Sequence, residues 1–82
     1  MLTAKYVHPD WGYEKEALDT FRLLRLNQEY KVEYISMGQS YTTVYLVGFW
    51  QAFNSVHFDF FEDGKEIDIF KSPKYNPYLR ED

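Results

Sequence analysis

Cysteine is absent from the 82 residues, which removes disulfides and thiolate metal sites from the means by which so small a chain can be held together. A reducing, cytoplasmic setting is therefore expected. Glycine (4) and proline (3) are scarce and dispersed, so there is no linker, and no repeat or low-complexity tract marks a boundary. The expectation is a single domain over residues 1–82, with 72–82 as an extended C-terminal tail. Met1 to Asp10 has no apolar run behind a basic start, which argues against a secretion signal. The longest uncharged stretch, Tyr34 to Phe58, is interrupted by Gln39, Ser40, Thr42, Thr43, Gln51, Asn54 and Ser55, so it does not read as a membrane span.

Basic charge is also in short supply. Nine Lys and Arg face 13 Asp and Glu, a net charge of −4, which weighs against neutralising a phosphate backbone. The whole imbalance lies between Asp59 and Asp68, where five acids (Asp59, Glu62, Asp63, Glu66, Asp68) accompany one base, Lys65. Sequence motifs of catalysis are missing: no Gly-rich phosphate loop, no G-x-S-x-G and no cysteine nucleophile. His57, one of two histidines, falls near Asp59 and Asp68, but a lone imidazole among surface acids lacks the spacing of a metal motif. No catalytic, cofactor or metal residues are expected, and the chain reads as a non-enzyme.

Aromatic residues, by contrast, are plentiful: 8 Tyr, 7 Phe and 2 Trp, 21% of the chain. Each can bury on the order of 150 to 250 Å², enough to build a core without disulfides and to exclude disorder. Leu2 to His8 reads as a short edge strand closed by Pro9 and Asp10. A helix follows from about Trp11. Asp10 is its candidate N-cap, Glu14 and Glu16 lie near the positive end of the helix dipole, Arg22 and Arg25 lie near the negative end, and Asn27 is the stop. Tyr13, Ala17, Leu18, Phe21 and Leu24 make its apolar stripe.

After residue 28 the period changes to two. Tyr30, Val32 and Tyr34 alternate with polar residues, and a loop at Gly38, Gln39 and Ser40 would set Tyr34 opposite Val44 and Val32 opposite Leu46 on a second strand over 41–49. Trp50 to Ser55 reads as a connection. Val56 to Glu62 and Lys65 to Phe70 flank Asp63-Gly64, the dipeptide suited to a type I′ hairpin turn. That turn would pair Phe60 with Ile67, Phe58 with Ile69, Phe61 with Glu66, Asp59 with Asp68 and His57 with Phe70. Ser72-Pro73 and Asn76-Pro77 end the strands. The fold class is then α+β: one N-terminal helix packed on a four-stranded antiparallel sheet, a meander ending in the Asp-Gly hairpin.

The face away from the helix would show Tyr45, Val47, Ile35, Phe61 and Phe70 among Lys31, Glu33, Thr43, Asp59, Glu66 and Asp68. Opposed Asp59 and Asp68 would repel, which basic groups on a partner would relieve. The plainer reading is that these acids are solvated and keep the hairpin edge from aggregating. The candidate partner-binding residues are Asp59, Phe61, Glu62, Asp63, Glu66, Asp68 and Phe70. The expected function is a small accessory or inhibitory binding protein, of the kind common in phages and mobile elements, with a basic protein surface as partner. The alternative is a homo-oligomer whose aromatic sheet face is self-covered.

Overall fold

The computed structural model describes residues 1–79. The elements are β1 (Leu2–Tyr6), α1 (Glu14–Leu23), β2 (Glu29–Met37), β3 (Thr42–Leu46), β4 (Ala52–Asn54), β5 (Phe58–Glu62) and β6 (Lys65–Ile67), with 3₁₀ turns at Ser55–His57, Ile69–Lys71 and Pro77–Leu79. The architecture is α+β, with six antiparallel strands in the order β4-β3-β2-β1-β5-β6 rather than four. Two strands account for the difference. β1 lies inside the sheet, between β2 and β5, instead of at its edge, because Leu2, Ala4 and Tyr6 are all buried on one face and both its backbone edges are paired. β4 emerges from the segment read as a connection: Phe53 points into the core, while the polar punctuation at Gln51 and Asn54 lies on either side of it.

The Asp63-Gly64 turn forms as the dipeptide dictates, with φ of 51° and 83° at its two central residues. It sets Phe60 opposite Ile67 and Phe61 opposite Glu66. The ladder then stops at Ile67. Asp68 leaves the strand and caps the next turn, its carboxylate accepting the Phe70 amide at 2.9 Å. The expected pairs Phe58–Ile69, Asp59–Asp68 and His57–Phe70 are therefore absent, and Asp59 stands opposite Lys5 of β1. In the β2–β3 hairpin, Val32 faces Leu46 as expected, but a bulge between Val32 and Tyr34 moves Tyr34 opposite Tyr45. The extra residue turns Ile35 inward, opposite Val44, so it leaves the outer face on which it was expected.

The sheet is strongly curled. β4 and β5 run in the same direction and, in a flat sheet, strands four positions apart would be separated by roughly 19 Å. Only Ser55–His57 joins them, and the chain from Asn54 to Phe58 can reach at most about 14 Å. The sheet must therefore bend until its β4 edge approaches β5, and the Phe53 and Phe58 rings meet across that seam, centroids 6.3 Å apart. The residues 52–62 thus behave as one extended run that a 3₁₀ turn switches from one side of the sheet to the other.

The hollow of the curl holds Leu2, Ala4, Tyr6, Val44, Leu46, Phe53, Phe58 and Phe60, closed by Leu24, Phe49, Ile69 and Tyr75. Loop and tail aromatics fill that space, so α1 does not lie across it. The helix docks beside β4, and the expected apolar stripe is only half buried: Ala17 and Leu24 are inside with Thr20, whereas Tyr13, Leu18 and Phe21 are exposed. Asp10 does not cap it. Gly12, at φ +80°, breaks the helical path, and a Cβ there would stand 3.1 Å from Glu16, 3.3 Å from Val56 and 3.4 Å from Asn54; the helix begins two residues later. Its polar anchor is Glu16, whose carboxylate accepts from Asn54 Nδ2 at 2.7 Å and from the Tyr41 hydroxyl at 2.6 Å.

At the β2–β3 turn, Gly38 donates its amide to the Tyr41 carbonyl at 3.0 Å, and a Cβ there would stand 2.7 Å from that oxygen. Backbone cannot yield as a side-chain tip can. Gly38→Ala should therefore cost about 1–3 kcal/mol in urea denaturation. A loss under about 0.5 kcal/mol would mean the turn is free to shift.

Residues 69–79 fold back over the open end of the sheet, and Tyr75 packs on the core, so this part of the expected extended tail is a wrapped segment. The remainder of 72–82, residues 80–82, lies outside the described residues. Among the described residues no helix is long and apolar enough to cross a membrane.

Candidate interaction groove

Strand β1 ends at Tyr6, and Pro9-Asp10 then turn the chain so that the Trp11 amide meets the His8 carbonyl at 3.5 Å. The turn stacks the His8 and Trp11 rings face to face, centroids 3.7 Å apart and planes within 4°. His8 is held by its backbone: its amide and that of Val7 both donate to the His57 carbonyl, and its own carbonyl accepts from His57 Nδ1 at 3.0 Å. His57, expected on the surface beside the acids, is fully buried against Tyr6 and Phe58. Its 3₁₀ turn points the ring inward, and it is His8 that meets Asp59, Nε2 to Oδ1 at 3.3 Å. Among the described residues the buried Tyr6 hydroxyl has no hydrogen-bond partner, and burial pushes its pKa up.

Beyond Asp59, the edge strand β6 and its following turn supply Glu66, Asp68 and Phe70. Together with His8 and Trp11 these residues line a groove of about 430 Å³, so that three acids, Asp59, Glu66 and Asp68, share it with the aromatic rings of Trp11 and Phe70. Phe70 and Trp11 are both about half exposed, at 47% and 54%. A groove lined by both acids and aromatic rings suits a Lys or Arg side chain: the stem can lie on the rings while the cation meets the acids.

Four of the seven residues singled out from the sequence (Asp59, Glu66, Asp68 and Phe70) line this groove. The other three lie elsewhere. Phe61 is half buried on the outer sheet face opposite Thr3, and Asp63 is exposed at the hairpin tip. Glu62 is engaged internally: it accepts from Lys74 Nζ at 2.7 Å and from the Tyr75 hydroxyl at 2.6 Å, tying the tail to the hairpin. Those two bonds, Lys74 first, hold the Glu62 carboxyl below its usual value, and Lys74 is raised in turn. On the outer face of β2 and β3, Tyr34 and Tyr45 stack at 4.6 Å. Sequence reading passed over His8 and Trp11. The usable signal was Pro9-Asp10 at the centre of a turn, which brings the residues on either side of it within about 7 Å.

The chain matches the family described as bacteriophage T4 protein Y07B over residues 1–81. It belongs to that family. The match agrees with the phage association expected from the sequence, and the name of the Y07B family records no activity. No curated protein and no solved structure matches the chain.

Proposed function

We propose that this member of the Y07B family is a non-enzymatic binding protein that takes a basic segment of a partner protein into the groove between the His8–Trp11 stack and Phe70. The observation that carries the reading is that three acidic residues, Asp59, Glu66 and Asp68, line one groove with the His8–Trp11 stack and Phe70. The excess acid of the chain is concentrated in the same hairpin, which would steer a basic partner and make association sensitive to salt. The phage family match supports an accessory or inhibitory role, exerted by occupying a basic surface of another protein.

The test is a titration of isotope-labelled protein with an unstructured Lys/Arg-rich peptide, followed by amide shifts. The largest shifts should fall on His8, Trp11, Asp59 and Phe70. Asp59→Asn combined with Asp68→Asn should weaken binding roughly tenfold. An unchanged affinity, or shifts confined to the hairpin tip at Asp63, would remove the groove as the site.

A further inference from the structure

Among the described residues no Lys or Arg lines the groove, so the one cation the protein can place in it is His8. Histidine is the side chain whose charge changes between about pH 5 and 8. The His8 Nε2 lies 3.3 Å from Asp59 Oδ1, and its ring lies flat on Trp11 with centroids 3.7 Å apart. These are the contacts the groove would offer a Lys or Arg of a partner: an acid for the charge and an aromatic face for the stem. With the ring neutral, Nε2–H donates to the carboxylate, and Asp59 keeps its negative charge for an incoming cation. A second proton goes to Nδ1, which has no hydrogen-bond partner among the described residues. It turns the Asp59 contact into an ion pair and the stack into a cation–π contact.

The ring is held in that place. The Val7 and His8 amides donate to the His57 carbonyl, and the His8 carbonyl accepts from His57 Nδ1, so the backbone under the ring is fixed from the neighbouring 3₁₀ turn. The side chains of His8 and Asp59 are 26% and 40% exposed, which leaves the pair open to protons from solvent while screening it only in part. The other charges around it are Asp10 in its own turn, Lys5 opposite Asp59 on β1, Glu66 on β6 and Asp68 after it. Lys5 makes no ion pair with Asp59 among the described residues. The buried His57 is the second imidazole, behind the His8 backbone rather than in the groove.

We propose that His8 is a built-in competitor for the groove: neutral, it leaves Asp59 to a basic segment of the partner, and protonated, it occupies Asp59 itself and repels that segment. The inference rests on the groove being the binding site. Its sign follows from the charges. Acidification through the histidine range weakens association, and by linkage the partner's binding expels a proton from His8.

The experiment titrates the full chain with an unstructured Lys/Arg-rich peptide at constant salt. Affinity should fall roughly three- to tenfold from about pH 8 to about pH 5.5. His8→Gln retains an amide donor for Asp59 but cannot take up charge, so it should lose most of that ratio; the ratio between the two pH values is the readout, not the affinity at either. Calorimetry at about pH 6.5 in two buffers of different ionisation enthalpy should show proton release on binding to wild type and none with His8→Gln. The same ratio in both proteins would assign the pH dependence to the acids or to His57 and overturn the proposal. Wild-type affinity indifferent to pH would also overturn it, with the groove reading left standing. Absence of peptide binding at both pH values would overturn the groove reading and this proposal together.

Discussion

Phe58→Ala should bring the protein close to unfolding, costing about 3–5 kcal/mol. Phe58 is 5% exposed, and its ring meets those of Tyr6, Phe53, His57 and Phe60. These neighbours come from β1, β4, the 3₁₀ turn and β5, so the ring sits where the curled sheet closes on itself. A domain of this length has on the order of 4–12 kcal/mol in total, so the loss is a large share of it. Urea denaturation followed by circular dichroism measures this. Trp50→Ala supplies the contrast: Trp50 is the larger side chain but is 100% exposed, and its removal should change stability by less than about 0.5 kcal/mol. If the two substitutions proved equally mild, Phe58 would not close the seam.

The second large effect belongs to Glu16. α1 has few apolar residues against the sheet, and the Glu16 carboxylate joins it to both Asn54 of β4 and Tyr41 in the turn before β3. Asn54 is buried, so Glu16→Ala leaves its Nδ2 donor unpaired, while its Oδ1 still accepts from the Val56 amide, as well as freeing the helix, at a cost of about 2–3 kcal/mol. The bond also has a spectroscopic signature. Donation to Glu16, with burial second, pushes the Tyr41 hydroxyl up to about 12. A raised folded value means the bond's contribution is complete below the unfolded tyrosine value of 10.0 and fades as pH rises through about 12. Ultraviolet titration of tyrosinate should show Tyr41 among the late-titrating residues, beside Tyr6 and Tyr75, which are also raised, and Glu16→Gln should return the Tyr41 component alone toward 10. A profile identical in wild type and Glu16→Gln would show that Tyr41 does not donate there.

Some features were written in short stretches of sequence because local chemistry decides them. Asp63-Gly64 must turn with positive φ, so the register from Phe60 to Ile67 followed, and with it the placing of Glu66 beside Phe61. The acid excess of residues 59–68 and the alternation after residue 28 were equally plain. The register failed where a side chain competed with the ladder: Asp68 serves its own turn by capping Phe70, and no count of residues from the hairpin reveals that. It failed again at the β2 bulge, where one inserted residue reverses every side chain after it.

The candidate groove divides in the same way. Asp59, Glu66, Asp68 and Phe70 were legible as an acidic, aromatic hairpin, whereas His8 and Trp11 join them only because β1 pairs with β5 across more than fifty residues of sequence. By itself, the sequence determined the fold class, the hairpin, the charge asymmetry and the absence of any disulfide. Tertiary structure alone decided that the sheet has six strands, that it curls, that His57 is inside, and that α1 leaves Leu18 and Phe21 uncovered. The reason is volume: Phe49, Phe53, Ile69 and Tyr75 already fill the concave face, and which aromatics reach that space depends on long-range pairing that no local pattern encodes.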